Sequence, residues 1–450
     1  MMEGTMRILL LVTILLSSIP CAAADDWPQW RGVSGNGVST ETGLPLRWGK
    51  DDVAWKTPLT GLGVSSPIVS RDRVFVTSQI GSVELRPGSH PTLARGPEAA
   101  SEKPLGKGAT STPGKQTFFL IEAFSRSDGR RLWEYRLPAE GPLIPVHQKH
   151  NLASPSPVTD GELVYSWFGN GQIVALNFDG KLAWQRHLGK EISPFEIEWG
   201  HGSSPTIYRD SLILLCDHIP ASYLLAVDKK TGKDKWRVDR GKGVRSYSTP
   251  AVVRGPSGDE LIVNASERID AYDPATGKHL WYTGGPNRFP IPVPTAENGI
   301  LYASRGYRSG PFMAIRLGGK GDISSTHVQW LVPTGAPYVS SLVLYQGLIY
   351  MANDAGVASC FDAKTGEKVW QARTEGIFSA SPVAGDGKVY LVSETGEIIV
   401  LKAGREYTVL AKNDLGERLV ASPAISGGQL FLRTDGYIFC IGKPTSNPRR

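Results

Sequence analysis

A short motif, in most copies Ser-Pro, recurs along this chain at intervals that set its organisation. The copies are Ser66-Pro67, Ser156-Pro157, Ser204-Pro205, Thr249-Pro250, Val293-Pro294, Ser341-Leu342, Ser381-Pro382 and Ser422-Pro423. From the second copy onward the interval is 40 to 48 residues, and the first interval is 90 residues because it contains an insertion. A period of this length that holds only strand-like apolar runs is typical of four-stranded propeller blades. The sequence therefore predicts an all-β protein: an eight-bladed β-propeller of four-stranded antiparallel blades.

Each period ends in a second recurring frame, a turn followed by a tryptophan. Its best copy runs from Ala226-Val227-Asp228 through Thr231-Gly232 to Trp236. The Asp caps the turn, the Gly accepts a positive φ, and the Trp is large enough to fill the wedge between blades. The other copies end at Trp133, Trp184, Trp281, Trp330 and Trp370. We interpret these tryptophans as structural and not as a platform for stacking nucleotides.

The eighth blade lacks a strand if it is built from the C-terminal residues alone. Its third strand ends near Cys440-Ile441, and the segment Val53–Thr57 carries a Trp in the position of the frame. We predict that this N-terminal strand completes blade eight and closes the ring, which removes an exposed sheet edge.

The N-terminus predicts export. Residues 1–24 carry Arg7, an apolar run that is too short to span a bilayer, and alanines at 22 and 24 before the expected cleavage site. Pro20 precedes Cys21, which departs from a lipobox, so no lipid is predicted. We expect no transmembrane segment and a periplasmic or extracellular location.

The mature chain then divides into three parts. Residues 25–52 are predicted to form an arm laid across the propeller, residues 53–442 the propeller itself, and residues 443–450 a tail. The largest insertion, residues 86–117, is rich in Pro and Gly and is predicted to be disordered.

Charge and cysteine content exclude several classes of function. The net charge of +6 is dispersed, which argues against a nucleic-acid partner. Cys216, Cys360 and Cys440 lie far apart without a Cys-x-x-Cys spacing, so a disulfide framework, a zinc ribbon and haem attachment are not predicted. His147 and His150 are only two potential ligands in a loop, and a metal site needs at least three.

The Ala-x-Asp-x-x-Thr-Gly-x-x-x-Trp frame is similar to the repeat of PQQ-dependent alcohol dehydrogenases and of BamB-type outer-membrane assembly factors. Trp27-Pro28-Gln29-Trp30-Arg31-Gly32 and His150-Asn151-Leu152-Ala153-Ser154-Pro155 resemble segments of secreted PQQ-binding-like propellers of undetermined function. In the quinoprotein enzymes, the resemblance implies a quinone stacked between a Trp and two adjacent cysteines, and Ca²⁺ held by Glu, Asn and Asp. This chain has no adjacent cysteines.

Propellers bind ligands around their central channel, so the residues just before the Ser-Pro motifs are the candidate site. The candidates at the channel mouth are Trp199, His201, Ser203, Arg245, Ser246, Tyr247, Arg305 and Tyr338, and Tyr307 is a possible neighbour. Aromatic, imidazole and hydroxyl groups at one mouth suit a polar ligand such as a sugar or a peptide.

No catalytic motif occurs, so we predict an exported, monomeric, non-catalytic binding or scaffold protein that recognises a protein or polysaccharide at its propeller face. No cofactor is predicted. The alternative is an enzyme, either a PQQ-dependent dehydrogenase with Ca²⁺ or another activity at the channel mouth.

Overall fold

A computed structural model describes residues 26–81, 116–307 and 309–443. Eight antiparallel sheets form a closed ring within these residues, which confirms the predicted eight-bladed propeller. In each blade we name the strands A to D from the channel outward. Because A–B and C–D turns lie at one end of the strands, we call that end the lower face; the B–C loops and the D-to-A connections lie on the upper face.

Blades 1 to 4 follow one another along the chain. Their strands are Ile68–Ser70, Arg73–Ile80, Phe118–Ser125 and Arg131–Pro138 in blade 1; Val158–Thr159, Leu163–Trp167, Gln172–Asn177 and Leu182–His187 in blade 2; Thr206–Tyr208, Ser211–Asp217, Ser222–Asp228 and Asp234–Gly241 in blade 3; and Ala251–Gly255, Gly258–Asn264, Ile269–Tyr272 and His279–Thr283 in blade 4. A short fifth strand, Gly321–Asp322, pairs in parallel with the outer strand of blade 4.

Blades 5 to 8 complete the ring. Their strands are Thr295–Glu297, Ile300–Ser304, Phe312–Arg316 and Val328–Val332 in blade 5; Val343–Tyr345, Leu348–Ala352, Val357–Asp362 and Lys368–Arg373 in blade 6; Val383–Gly385, Lys388–Val392, Glu397–Lys402 and Val409–Asp414 in blade 7; and Ala424–Ser426, Gln429–Arg433, Tyr437–Ile441 and the N-terminal Val53–Pro58 in blade 8.

The N-terminal strand closes the ring as predicted. Val53–Pro58 pairs antiparallel with Tyr437–Ile441, and Trp55 lies opposite Cys440. The other docking tryptophans also face a small residue on strand C, such as Ala226 opposite Trp236. This register leaves room for the indole, so Cys440 and Cys360 serve as small packing residues, consistent with their burial as free thiols.

The tryptophans dock onto the next blade through a shared geometry. The indoles of Trp55, Trp133, Trp184 and Trp330 each cover a glycine in the C–D turn, and Nε1 donates to a backbone oxygen of that turn, at 2.8 Å from Trp55 to Arg126 and 2.7 Å from Trp133 to Phe178. Trp236 covers Gly277 without such a bond, and Trp370 donates to Gly404 at 3.2 Å without covering that glycine. A Cβ on the turn glycines at 129, 180, 232, 277 and 366 would lie 2.5 to 2.8 Å from the indole, and each of them has a positive φ. Trp281 differs, because its Nε1 donates to Glu260 in its own blade. The predicted structural role of the frame thus rests on Gly–Trp stacking.

The arm crosses the lower face. Trp27 pairs with Val69 of blade 1, and Val38 with Ala384 of blade 7. Arg31 is buried, lies 5.5 Å from the Trp30 ring, and donates to the backbone oxygens of Leu342 (2.7 Å) and Pro382 (2.9 Å). The arm therefore ties blades from both sides of the channel.

The remaining elements are two short helices, Lys50–Asp52 and Leu188–Glu191. Neither helix of the described residues has the length or the apolar character needed to cross a membrane. The predicted signal peptide, Cys21 and most of the 86–117 insertion lie outside the described residues. Thr117, at the end of that predicted insertion, is buried and its carbonyl oxygen accepts a hydrogen bond from Ala139 (2.9 Å).

Candidate functional site

The residues of the Ser-Pro motif meet around the channel and bond one blade to the next. The backbone N–H of each motif residue donates to the hydroxyl of the corresponding residue one blade further on. These bonds are Ser66 to Ser156, Ser156 to Ser204, Ser204 to Thr249, Val293 to Ser341, Ser341 to Ser381, Ser381 to Ser422 and Ser422 to Ser66, all at 2.9 to 3.0 Å. Val293 has no hydroxyl, so this link is absent between blades 4 and 5. We call the seven hydroxyls the hydroxyl ring.

The hydroxyl ring lines a central cavity that is closed below and open above. The cavity has a volume of about 1220 Å³ including the space at its mouth, and its lining includes the motif residues and Trp30 of the arm. Trp30 also borders a second cavity between the arm and blades 3 to 5 on the lower face. Trp30 therefore separates the two spaces, and a ligand of the central cavity enters from the upper face.

One side of the mouth is aromatic. Phe289 lies at its centre, with ring centroids 6.3 Å from Trp199, 6.2 Å from Tyr247 and 4.9 Å from Tyr307. Tyr338 continues the cluster at 5.2 Å from Tyr307. All of these side chains except Tyr307 line the cavity, and their apolar ring surface suits an apolar or ring-shaped group. We call these five residues the aromatic wall.

Another part of the mouth is polar. Lys149, in the connection between blades 1 and 2, reaches Glu394 of blade 7 at 3.1 Å, and both side chains are only 10% exposed. Ser379 also donates to Glu394, and Arg418 lies 3.7 Å from it. This ion pair joins distant parts of the ring and adds charged groups to the mouth.

Two histidines support the mouth from the same connection. The ring of His147 lies edge-on to Trp199 at 5.7 Å, and His150 Nε2 lies 2.6 Å from the Trp199 carbonyl oxygen. Burial lowers the pKa of His150, so this side chain is neutral at neutral pH. The two histidines position Trp199, and the described residues contain no group of three or more His, Cys, Asp or Glu side chains able to hold a metal ion.

Three of the eight predicted site residues line the cavity: Trp199, Tyr247 and Tyr338. The Tyr247 side chain packs beside Trp199 and Phe289, and burial together with nearby Glu198 raises the pKa of its hydroxyl well above the usual value. The structure thus brings these three aromatic residues together at the mouth, where the sequence analysis placed them.

The other five predicted residues do not line the cavity. Ser203 is buried, and the Ser246 hydroxyl donates to the Asn264 carbonyl oxygen at 2.7 Å. Arg245 forms an ion pair with Glu198 at 3.0 Å. Arg305 is buried and donates to the backbone oxygens of Ala265 and Gly285 at 2.8 Å, which joins blade 5 to blade 4.

His201, the fifth, packs between blades 2 and 3. Its ring lies 4.3 Å from Trp167, and its Nδ1 lies 3.1 Å from Nε2 of His218. Burial lowers the pKa of His201 to about 3, and burial with His201 nearby lowers that of His218 well below its usual value. The two histidines are therefore neutral, and their role is to pack between blades 2 and 3.

The sequence analysis missed Phe289, Lys149 and the inward position of the motif hydroxyls. Phe289 lies in the connection before Val293, so inspecting the residues before every motif copy would have found it. Lys149 lies between the two histidines that were considered only as metal ligands. No local signal reveals its partner, because Glu394 is 245 residues away.

Comparison with known proteins places this architecture among related chains. The family model described as outer membrane protein assembly factor BamB matches residues 118–371 and 354–441, which is more than half of the chain. Outer membrane protein assembly factor BamB of Yersinia pestis is 21% identical over 327 residues, covering 72% of this chain and 69% of the relative. Tetrathionate hydrolase of Acidithiobacillus ferrooxidans is 26% identical over 305 residues, covering 63% of this chain and 56% of the relative.

Solved structures share the fold at low sequence identity. BamB from Moraxella catarrhalis is 14% identical with a TM-score of 0.55, over 88% of this chain and 99% of that chain. A europium-containing methanol dehydrogenase is 11% identical with a TM-score of 0.67, over 94% and 99%. Quinohemoprotein alcohol dehydrogenase from Comamonas testosteroni is 13% identical with a TM-score of 0.62, over 95% and 82%.

The cavity does not offer the groups that a Ca²⁺-bound quinone would need. Its lining contains hydroxyls, aromatic rings, two histidines and Lys149, but no carboxylate, Asn or Cys. Cys216, Cys360 and Cys440 are buried in three different blades. A calcium ion takes six to eight oxygen ligands, mostly from carboxylates and carbonyls. The described residues of the channel therefore do not fit this cofactor.

Proposed function

This chain belongs to the propeller family whose model is described as outer membrane protein assembly factor BamB, and on that premise we propose that it is an exported binding module. Its partner is a polypeptide segment held at the upper mouth of the channel. The name of the family model supports a protein partner, since it describes an assembly factor. A polysaccharide is the alternative ligand for the same aromatic surface.

The observation that carries this proposal is the mixed character of the mouth. The aromatic wall presents apolar ring surface to the cavity, and Lys149, which is paired with Glu394, adds a charged side chain to the same lining. A polypeptide segment offers both apolar side chains and polar backbone groups, so it can use both kinds of surface. The cavity lining contains no carboxylate pair, and the Ser154 hydroxyl, which lies 3.1 Å from His150 Nδ1, donates to the Asn151 carbonyl oxygen at 2.6 Å, which supports binding over catalysis.

A pair of variants tests the mouth. We expect Trp199→Ala to weaken binding of the partner polypeptide, purified from the secreted or periplasmic fraction, by about tenfold or more, as for an aromatic hot spot. Leu182→Ala is the matched control, because Leu182 is 45% exposed on the outer strand of blade 2. Titration calorimetry with both variants, after a check of their melting temperatures, gives the answer. Equal affinities for the two variants would contradict binding at the mouth.

The exported state has its own test. We propose that the mature protein begins at Asp25, which the intact mass of the protein recovered from outside the cytoplasm decides. A mass that retains residues 1–24, or one that includes a diacylated Cys21, would contradict this assignment. A sedimentation measurement on the same sample tests the proposed monomer.

Hydrolysis at the channel is the second candidate, and the similarity to tetrathionate hydrolase favours it. The test is incubation of the purified protein with tetrathionate and measurement of its consumption. A parallel incubation with PQQ, Ca²⁺ and an alcohol, followed by dye reduction, tests the dehydrogenase alternative. Turnover in either reaction would replace the binding proposal.

A further inference from the structure

The hydroxyl ring has hydrogen-bond donors left over after it has joined the blades. Each hydroxyl oxygen already accepts one backbone N–H, so its remaining strong capacity is to donate its own proton. Within the part of the chain that the structure describes, no protein acceptor receives a hydrogen bond from these seven hydroxyls. The seven residues are at most 6% exposed, and all of them line the central cavity. Seven O–H groups therefore belong to residues that line one cavity.

The lining residues carry no acidic side chain of their own. They include no Asp or Glu, and the cationic Lys149 among them is already paired with Glu394 at 3.1 Å. A buried donor without an acceptor is costly, and water or a ligand must meet it. A deprotonated acid group is the best match, because it only accepts hydrogen bonds and its bonds are charge-assisted.

We propose that the hydroxyl ring binds an oxyanion group, a carboxylate or a sulfonate, at the end of a ligand that enters through the upper mouth. Trp30 closes the channel below, so the ring meets the end of a ligand and not the middle of a chain. The aromatic wall then holds the body of the ligand above the ring. This inference deepens the proposed function and rests on it, because both have the ligand enter at the upper mouth.

The test uses probes that differ only in the end group. Benzoate and benzenesulfonate carry an aromatic body and an oxyanion, and benzamide carries the same body without charge. We expect the purified full chain to bind the two anions at least tenfold more tightly than benzamide in calorimetric titrations, since a charged acceptor forms the stronger hydrogen bonds. Equal affinity for benzamide would overturn the proposal.

Variants of the ring make the test specific. Val293→Thr adds the eighth hydroxyl, and Thr249 shows that a threonine fits this position of the ring, since its Oγ1 accepts the Ser204 N–H at 3.0 Å. We expect this variant to bind benzoate about threefold or more tightly. Ser381→Ala should weaken binding about tenfold, and Ser381→Thr, which keeps the hydroxyl, should restore it. Affinity for benzoate that is unchanged in both Val293→Thr and Ser381→Ala would show that the ring is only structural.

Two further titrations distinguish a polypeptide end from a free small acid as the source of the oxyanion. A tripeptide Gly-Gly-Phe with a free carboxylate and its amide test a polypeptide end as the source, and benzoate alone tests a free small acid. Tighter binding of the tripeptide with a free carboxylate than of its amide supports a polypeptide end. Binding of benzoate without this preference supports a free small acid. If Trp199→Ala left the affinity for the partner polypeptide unchanged, the titrations with benzoate and the tripeptide would still test the hydroxyl ring. The two proposals can therefore fail independently.

Discussion

Replacement of Trp55 tests whether the N-terminal strand holds the ring closed. Trp55 is 7% exposed, its Nε1 donates to the Arg126 carbonyl oxygen at 2.8 Å, and its ring packs on Gly129 of blade 1 and lies 6.0 Å from Phe431. It therefore joins blade 8 to blade 1 at the point where the two ends of the propeller meet. In Trp55→Ala, this contact is lost while the backbone pairing remains.

The size of the effect follows from the buried area. A buried Trp removes roughly 200 Å² from water, which at about 25 cal/mol per Å² corresponds to about 5 kcal/mol as an upper value. We therefore expect the free energy of unfolding to fall by about 3 to 5 kcal/mol, in the range for other large-to-small changes in cores. With about 2.1 cal/mol/K per residue over roughly 400 residues, 4 kcal/mol lowers the melting temperature by about 5 °C.

Urea denaturation followed by circular dichroism measures this loss. Lys56→Ala is the matched control from the same strand, because Lys56 is 39% exposed and pairs with Glu417 at the surface. We expect this control to cost less than about 1 kcal/mol. A free energy of unfolding for Trp55→Ala that lies within 1 kcal/mol of that of the natural protein would refute the reasoning. A chain beginning at Leu59 that stays soluble, monomeric and equally stable would do so more strongly.

Three other predictions follow from local geometry. Gly366→Ala should destabilise the protein by about 2 to 4 kcal/mol, because its new Cβ would lie 2.7 Å from the Trp330 ring. The control is Gly347→Ala, which should cost only about 1 to 2 kcal/mol, because Gly347 has a similar φ of 75° and its new Cβ would meet no atom within 4 Å. Comparable losses of stability for the two variants in urea denaturation would show that Gly–Trp stacking is unimportant. Burial lowers the folded-state pKa of His201 to about 3, so the unfolded chain takes up a proton first as the pH falls below about 6.5, and stability contributed by this group is lost between pH 6.5 and pH 3. We expect the His201→Gln variant to lose about 2 kcal/mol less than the natural protein between pH 7 and pH 5, and parallel pH profiles of the two proteins would be evidence against this role. Burial raises the pKa of the Cys360 and Cys440 thiols to about 12 and that of Cys216 further, so these three thiols should react with a thiol reagent only after denaturation. Peptide mass mapping after labelling identifies the cysteines that have reacted. Rapid labelling of any of the three in the native protein would contradict the packing.

The hydroxyl ring gives the Ser-Pro motif two roles. Its N–H···O bonds join neighbouring blades at the axis, while the tryptophans join them at the outer strands. Blade 5 departs from the motif at Val293, and Trp281 departs from the docking frame in the adjacent blade 4. The two departures meet at one interface, so the link between blades 4 and 5 depends more on Arg305, which donates to Ala265 and Gly285.

The fold was predictable from the sequence because it depends on local and periodic features. A turn needs Asp and Gly at fixed positions, a strand buried on both faces needs a short apolar run, and a wedge between blades needs one large flat side chain in each repeat. These demands recur every 40 to 48 residues, so the blade count and even the closing strand around Trp55 could be read from spacing alone. Trp199, Tyr247 and Tyr338 could be placed at the mouth for the same reason, since they precede motif copies.

The rest of the site was decided by tertiary structure. The direction of a side chain in a blade-to-blade connection depends on backbone geometry that no period fixes, so His201 turned into the wedge beside Trp167 and Arg305 turned toward blade 4. The partner of Lys149 is 245 residues away, and the closure of the channel by Trp30 depends on the path of the arm across the lower face. Contacts of this kind join residues from different repeats, and only the closed ring brings them together.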